Sequence, residues 1–278
     1  MLAAALRFVW NVSPFITLPL GLRLHYYSVF FFLVFVTGYR LLLWQVERAG
    51  GTQEEALGFV LRGILAVLIG ARLAHVIFYD YAHALRDPLW ILQVWTGGLS
   101  SHGAVAALVL AWWLYARKLG IHFMDGMDRF SFSAAFGSSW VRLGNFFNSE
   151  IVGRPTDQTW GVAFPRYMPR QPILYRHPMQ LYELALGVAV GLALVWADRA
   201  WGKESRPRGA LISLCFLLYF GGRFLLEFFK EVQVPQLERF GFTMGQYLSL
   251  PAALLGALGL WYSLKHRHPA GWRRDAAA

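Results

Sequence analysis

The chain has 278 residues, 56% of them hydrophobic and 15% charged, with a formal net charge of +10. A soluble globular domain carries roughly 25% charged residues, so the composition excludes an ordinary soluble enzyme. The apolar residues fall in blocks long enough for helices to cross a hydrocarbon core of about 30 Å. Cys215 is the single cysteine, which excludes an internal disulfide framework and a cysteine-based metal cluster. Its place in an apolar run reads as a small buried residue. The positive balance has a source other than nucleic acid, because Lys and Arg gather in the cytoplasmic loops of membrane proteins. No basic stripe with interleaved aromatics stands outside the apolar blocks, so no nucleic-acid partner is expected. The 12 Trp and 12 Tyr suit interfacial belts.

Residues 1–20 contain Pro14 and Pro19 and are too broken to span. They read as an interfacial segment, and they lack the pattern of a cleavable signal peptide. A first span is expected over about Leu24–Trp44, with Tyr26 near one interface. Thr52 and Glu55 then have capping-box spacing ahead of a second span, about Ala56–Tyr79. Arg72 and His75 lie three apart in it and share a helix face. That face has to point into protein or a cavity. An aromatic-rich loop with Asp87-Pro88 as a turn leads to Gly97, Gly98, Ser100, Ser101, His102 and Gly103. A third span follows over about Ala104–Arg117. A fourth apolar run, about Phe123–Trp140, carries Asp125, Asp128 and Arg129.

The polar stretch after it, Val141–Asp157, holds Arg142, Asn145, Asn148, Glu150, Arg154 and Asp157. From there to about His177 the chain is rich in Pro and Arg and is the one segment large enough for an extramembrane head. A fifth span (about Met179–Trp196), a basic loop, a sixth span (about Gly209–Phe229) and a seventh (about Met244–Leu264) complete the chain. The expected fold is an all-α polytopic membrane protein of seven transmembrane helices, with one integral membrane domain over 1–278 and a small extracytoplasmic head at 141–178. Seven spans put the termini on opposite sides. One set of loops and ends holds 12 Lys and Arg, among them Arg117, Lys118, Arg273 and Arg274; the other, leaving out the long polar segment 141–178, holds five, among them Lys230 and Arg239. Positive residues favour the cytoplasm, so the C-terminus is expected inside, and the N-terminus, the head, His102, Arg223 and Glu227 outside.

Several polar groups then converge on one face. Arg142, Asn145 and Asn148 recur at intervals of three with Gly144 between, and Arg presents a planar fork matched to phosphate. The alternative is Arg142 snorkelling to the interface. Tyr219, Arg223 and Glu227 recur at intervals of four on one face of the sixth span. They form either a phosphate-binding arginine oriented by Glu227 or a buried Arg–Glu pair that fixes packing. His102 at a helix start is either a general base or an interfacial residue of a capped helix, with nearby glycines that permit close approach. His177, Gln180, Tyr182 and Glu183 read mainly as helix-start chemistry behind Pro178. No His/Asp/Glu cluster has metal-site spacing and no phosphate-cradling Gly loop is present, so neither metal nor cofactor is expected.

Val141–Gly153 reads V-R-L-G-N-F-F-N-S-E-I-V-G. Together with SSHGA around His102-Gly103, HPMQLYE at 177–183, YFGGRFLLEFFK at 219–230, GAR at 70–72 and Tyr26, it resembles the bacterial prolipoprotein diacylglyceryl transferase family, whose signature is G-R-x-G-N-F-x-N-x-E-x-x-G. Val141 stands where the signature has Gly, and HGA replaces the commoner HGG at Ala104. The resemblance implies a cytoplasmic (inner) membrane enzyme that moves the sn-1,2-diacylglyceryl group from phosphatidylglycerol to the lipobox cysteine thiol of a preprolipoprotein, releasing glycerol 1-phosphate. It implies catalytic roles for His102, Arg142 and Arg223. It places Tyr26, Asn145, Glu150, Gly153, Tyr219 and Glu227 among the substrate-binding residues, with Asp128, Arg72 and Gln180 supporting. The active site is expected near the outer face, in contact with membrane lipid. The alternative reading from the residues alone is a lipid or solute transporter with a charged intramembrane path, which no internal repeat supports.

Overall fold

The computed structural model describes residues 6–156, 160–169, 172–231 and 242–272; Asp157, Arg239, Arg273 and Arg274 lie outside the described residues. In chain order these residues form strands β1 (Leu6–Val9), β2 (Phe15–Thr17) and β3 (Arg23–His25), then helices α1 (Tyr26–Arg48), α2 (Gln53–Tyr79), α3 (Tyr81–Arg86), α4 (Ser101–Leu119) and α5 (Phe123–Phe147). Strands β4 (Trp160–Ala163) and β5 (Tyr175–Arg176) follow, and helices α6 (Met179–Ala200), α7 (Ala210–Leu226) and α8 (Met244–His266) end the fold. Five helices are long and apolar enough to cross a membrane: α1, α2, α6, α7 with the short turn to Phe229, and α8. Helices α4 and α5 occupy two further positions where spans were expected, and neither meets that standard of length and apolarity. The architecture is thus that of a polytopic helical membrane protein.

The helix starts follow from local chemistry. Thr52 accepts a hydrogen bond from the Glu55 N–H at 3.2 Å while the Glu55 carboxylate accepts from the Thr52 N–H at 3.0 Å, the reciprocal cap anticipated at α2. Thr243 and Gln246 build the same device at α8. Helix α5 runs seven residues past the expected Trp140, so Arg142 and Asn145 are helical residues. The polar run does not break the helix because Arg142 and Asn145 find partners beyond it.

The chain divides into two compact units, Met1–Leu41 with Asp128–Pro269, and Leu42–Met127 with Ala270–Ala278. In the first, Phe132 and Ala135 of α5, Val190, Leu194 and Ala197 of α6, and Leu211 and Cys215 of α7 form one buried apolar cluster. Cys215 is buried there, as the sequence indicated. Small residues let the helices approach. A side-chain carbon added at Gly187 would stand 2.4 Å from Ser139 Oγ, and one at Gly256 would stand 2.4 Å from the Leu217 nitrogen. A smaller apolar cluster joins Phe146, Val152, Val162 and Phe164, with Trp10 packed on it. The segment 141–178 is joined by the N-terminal stretch in a small sheet. β1 pairs in parallel with β4, and β4 pairs antiparallel with β5, so the Pro-broken N-terminal stretch supplies a strand. β2 and β3 form a separate hairpin.

At the other end of the same helices lies a buried ionic cluster. Arg129 binds Glu204 at 2.6 Å and Arg206 binds Asp198 at 2.9 Å, with both guanidinium groups fully buried. Burial pulls Arg206 below its ordinary range, while Asp128, Asp198 and Glu204 oppose that shift. Asp128 accepts hydrogen bonds from the N–H groups of Gly209 at 2.7 Å and Ile212 at 2.8 Å, at the start of α7. The carboxylate satisfies orphan donors at a helix N-terminus and opposes its positive dipole.

In the second unit α2 and α4 pack antiparallel. A carbon added at Gly70 would stand 2.6 Å from the Gly103 carbonyl oxygen, and one at Gly103 would stand 2.3 Å from that of Gly70. The two backbones touch, so the glycine beside His102 is occupied by helix packing rather than open to a ligand. Trp112 Nε1 donates to the Phe59 carbonyl at 3.0 Å further along the same pair of helices.

Asp128→Ala strips the start of α7 of a buried acceptor, and an unsatisfied buried donor costs about 1–3 kcal/mol. Thermal unfolding of the purified variant in detergent is expected to show a clear loss of stability, and an unchanged midpoint would refute the capping role.

Candidate active site

The expected site residues fall in both units. In the first, Arg142 projects from the last turns of α5 and forms an ion pair with Glu183 of α6, Nε to Oε2 2.8 Å. Arg142 Nη1 also donates to Asn145 Oδ1 at 3.3 Å. Asn145 Nδ2 donates to Glu150 Oε1 at 2.8 Å, and Asn148 Nδ2 donates to the same oxygen at 3.2 Å. Gln180 Nε2 donates to the Glu150 carbonyl at 2.7 Å. Helix α5, the turn after it and the start of α6 are thereby tied by one polar chain, Glu183–Arg142–Asn145–Glu150–Asn148. Glu183 is the residue that sequence reasoning undervalued. Its spacing matched helix-start chemistry, and its partner is 41 positions away.

Arg223 lies on α7, half buried, and makes no ion pair or side-chain hydrogen bond among the described residues. Its level is fixed by packing. A carbon added at the neighbouring Gly222 would stand 2.4 Å from Leu186 Cδ1. Leu186 and Glu183 are three residues apart on α6, so α5 at Arg142 and α7 beside Arg223 meet the same stretch of α6. Tyr219 is half buried one turn earlier on α7 and packs on the apolar cluster. Glu227, expected to orient Arg223, pairs instead with Lys230 at 3.6 Å. The α-helix ends at Leu226 and tightens into a 3₁₀ turn over Glu227–Phe229, and i,i+3 neighbours nearly eclipse in that geometry. Tyr26, at the start of α1, packs on Phe147 with ring centroids 4.6 Å apart.

Gly153 sits where three segments meet. Its N–H donates to the His177 carbonyl at 2.9 Å, and the Arg154 N–H donates to the Phe229 carbonyl at 2.9 Å. A carbon added at Gly153 would stand 2.5 Å from the His177 oxygen and 2.8 Å from the Phe229 oxygen. The imidazole of His177 sits between Trp160 and Phe229, with Nδ1 3.2 Å from the Tyr182 hydroxyl. Burial pushes His177 below its ordinary value.

In the second unit His102 is exposed in the first turn of α4. The loop leading to it is organised by Arg72, which is buried and donates to the carbonyls of Trp90 at 2.5 Å, Ile91 at 3.0 Å, Gly97 at 2.7 Å and Gly98 at 3.3 Å. Its guanidinium also lies 4.0 Å from the centroid of the Trp90 ring. The Ser100 N–H donates to the Ala71 carbonyl at 2.9 Å. Arg72 thus positions the start of α4, and His75 shares its face as the spacing predicted, both lying against Gly98.

The profile of the prolipoprotein diacylglyceryl transferase family matches residues 15–262. The chain belongs to that family. It is 35% identical over 268 residues to the phosphatidylglycerol–prolipoprotein diacylglyceryl transferase of Vibrio atlanticus (strain LGP32), covering 93% of each chain. It is 37% identical over 261 residues to the transferase of that name from Tolumonas auensis, covering 93% of this chain and 98% of the relative. To that of Coxiella burnetii (strain Dugway 5J108-111) it is 34% identical over 251 residues, covering 88% and 93%. Within this transferase family member, the match takes in every residue of the polar chain and both arginines.

Two measurements check the geometry. Gly153→Ala drives a methyl group into two carbonyl oxygens and is expected to destabilise the head by about 1–3 kcal/mol, read as faster proteolysis between residues 141 and 178. His177 has a folded value below its unfolded 6.5, so its contribution to stability is present above about pH 6.5 and is lost as pH falls through the folded value. Unfolding midpoints measured from pH 7.5 to 5 are expected to fall on acidification, and His177→Gln to flatten that dependence.

Proposed function

We propose that the chain transfers the sn-1,2-diacylglyceryl group of phosphatidylglycerol to the lipobox cysteine thiol of a preprolipoprotein, releasing glycerol 1-phosphate. The transfer from phosphatidylglycerol to prolipoprotein rests on the family, and the observation that supports it in this chain is that the helices bearing Arg142 and Arg223 meet the same stretch of α6, at Glu183 and Leu186. The thiol as acceptor agrees with a chain whose own cysteine is buried among apolar side chains.

The reaction is a displacement. The thiolate sulfur forms a bond to the glyceryl carbon, the carbon–oxygen bond to phosphate breaks, and the electron pair leaves with the phosphate monoester. Arg223, which has no carboxylate partner among the described residues, holds the phosphate and takes up the charge that develops on it. Arg142 presents the remaining edge of a guanidinium held by Glu183 and Asn145, so it acts as an oriented donor more than as a free charge. Tyr26, Glu150, Gly153, Tyr219 and Glu227 shape the lipid and peptide surroundings, and Asp128, Arg72 and Gln180 support the framework. A free thiol has a pKa of about 8.5, so a base or a positive charge assists it. His102 either takes that proton or orients the headgroup.

The same reading makes α4 and α5 membrane spans, seven in all, in the cytoplasmic membrane of a bacterium. It puts the C-terminus inside, with the N-terminus, the head over 141–178 and the active site outward. The charge count of the loops supports this orientation.

Purified protein incubated with phosphatidylglycerol and a lipobox peptide is expected to release glycerol phosphate and add a diacylglyceryl mass to the peptide. The absence of both sinks the proposal. Arg223→Ala is expected to lower turnover by 10²-fold or more, in line with loss of a transition-state charge contact. Normal turnover in His102→Gln would remove the base role.

A further inference from the structure

Outside the arginine site, the corner between α4 and α5 carries a cavity of about 450 Å³ lined by Trp113, Ala116, Arg117, Ile121, His122 and Phe123. None of these is acidic. The Arg117 guanidinium lies over the Trp113 indole, 4.7 Å from its centroid, and makes no ion pair among the described residues. Lys118 is exposed beside it. His122 Nδ1 accepts a hydrogen bond from the Met124 N–H at 3.2 Å, which puts the proton of the neutral ring on Nε2.

The helix face that leads to this corner is apolar and open. Val109 (42%), Leu110 (54%), Trp113 (39%) and Leu114 (53%) are exposed at i, i+1, i+4 and i+5, and the strip ends at Arg117. It is about 12 Å long at 1.5 Å per residue. A soluble anion would use the cations and leave the strip idle. A phospholipid uses both, its headgroup phosphate among Arg117, Lys118 and His122, and one acyl chain along the strip. The volume suits a headgroup, and basic residues at a membrane surface attract anionic lipid.

We propose that this corner is a binding site for an anionic phospholipid, formed wholly by residues of the second unit. The inference rests on α4 being a membrane span and is independent of the transfer chemistry.

The test uses the full-length protein in phosphatidylcholine nanodiscs doped with phosphatidylserine, an anionic lipid that lacks the glycerol headgroup of the substrate. Retained lipid is counted by native mass spectrometry. Wild type is expected to retain phosphatidylserine over phosphatidylcholine. The Arg117→Gln/Lys118→Gln double variant is expected to lose roughly tenfold or more of that preference, since each cation near the surface contributes several-fold. Trp113→Leu, which keeps both cations, is expected to fall between, and each variant to keep transfer within about twofold in detergent. Equal retention by wild type and the double variant overturns the site, as does displacement of phosphatidylserine by inorganic phosphate, which would make the ligand a free anion. Loss of transfer in wild type with lipid retention intact would overturn the proposed reaction and leave this site standing.

Discussion

A guanidinium group inside a helical membrane protein has to be given its acceptors by another part of the chain, because hydrocarbon supplies none. That constraint organises much of this structure. Arg142 takes Glu183 from α6 and Asn145 from its own helix. Arg72 takes four backbone carbonyls of one loop. Arg129 and Arg206 take Glu204 and Asp198 at the opposite end of the first unit from Arg142. Each pairing fixes the register of one element against another, which is a use of buried charge beyond stability. Arg223 departs from this rule among the described residues, and the departure is what makes it the group most available to a phosphate.

In the proposed reaction the two arginines divide the work. Arg142 stands in a chain with two carboxylates, Glu183 and Glu150, so its charge is largely balanced and its value lies in where its donors point. Arg223 makes no ion pair among the described residues. In the proposed reaction a bound phosphate balances its charge, and it gains most at the moment when the leaving oxygen becomes more negative. The arrangement is held by close packing. Gly222 admits Leu186, Gly187 admits Ser138 and Ser139, and Gly153 admits two carbonyl oxygens. A methyl group at Gly153 or Gly187 meets backbone oxygens that no rotamer change can move, whereas one at Gly222 needs the Leu186 side chain to turn away.

The same logic separates glycines that look alike. Gly103 follows His102 and suggested room for a ligand, whereas it is filled by the backbone of α2 at Gly70. Gly97, with positive φ and nothing near its α-carbon, is the open one in that loop.

Much of the molecule was legible from residues alone. Apolar blocks of sufficient length determined the long helices, capping-box spacing determined the start of α2, and an apolar setting determined the burial of Cys215. The polar stretch that ends α5 and runs on past it, read with its ordered companions along the chain, determined the family. Local signals suffice for these because helix length, caps and burial depend on neighbours within a few positions. What only the tertiary structure decided are the pairings: Glu183 with Arg142, Asp128 with the start of α7 and β1 with β4 across long separations, and Glu227 with Lys230 rather than Arg223. Spacing along one helix lists the partners a side chain can reach. The helix packed beside it, set by where glycine lets backbones meet, selects among them.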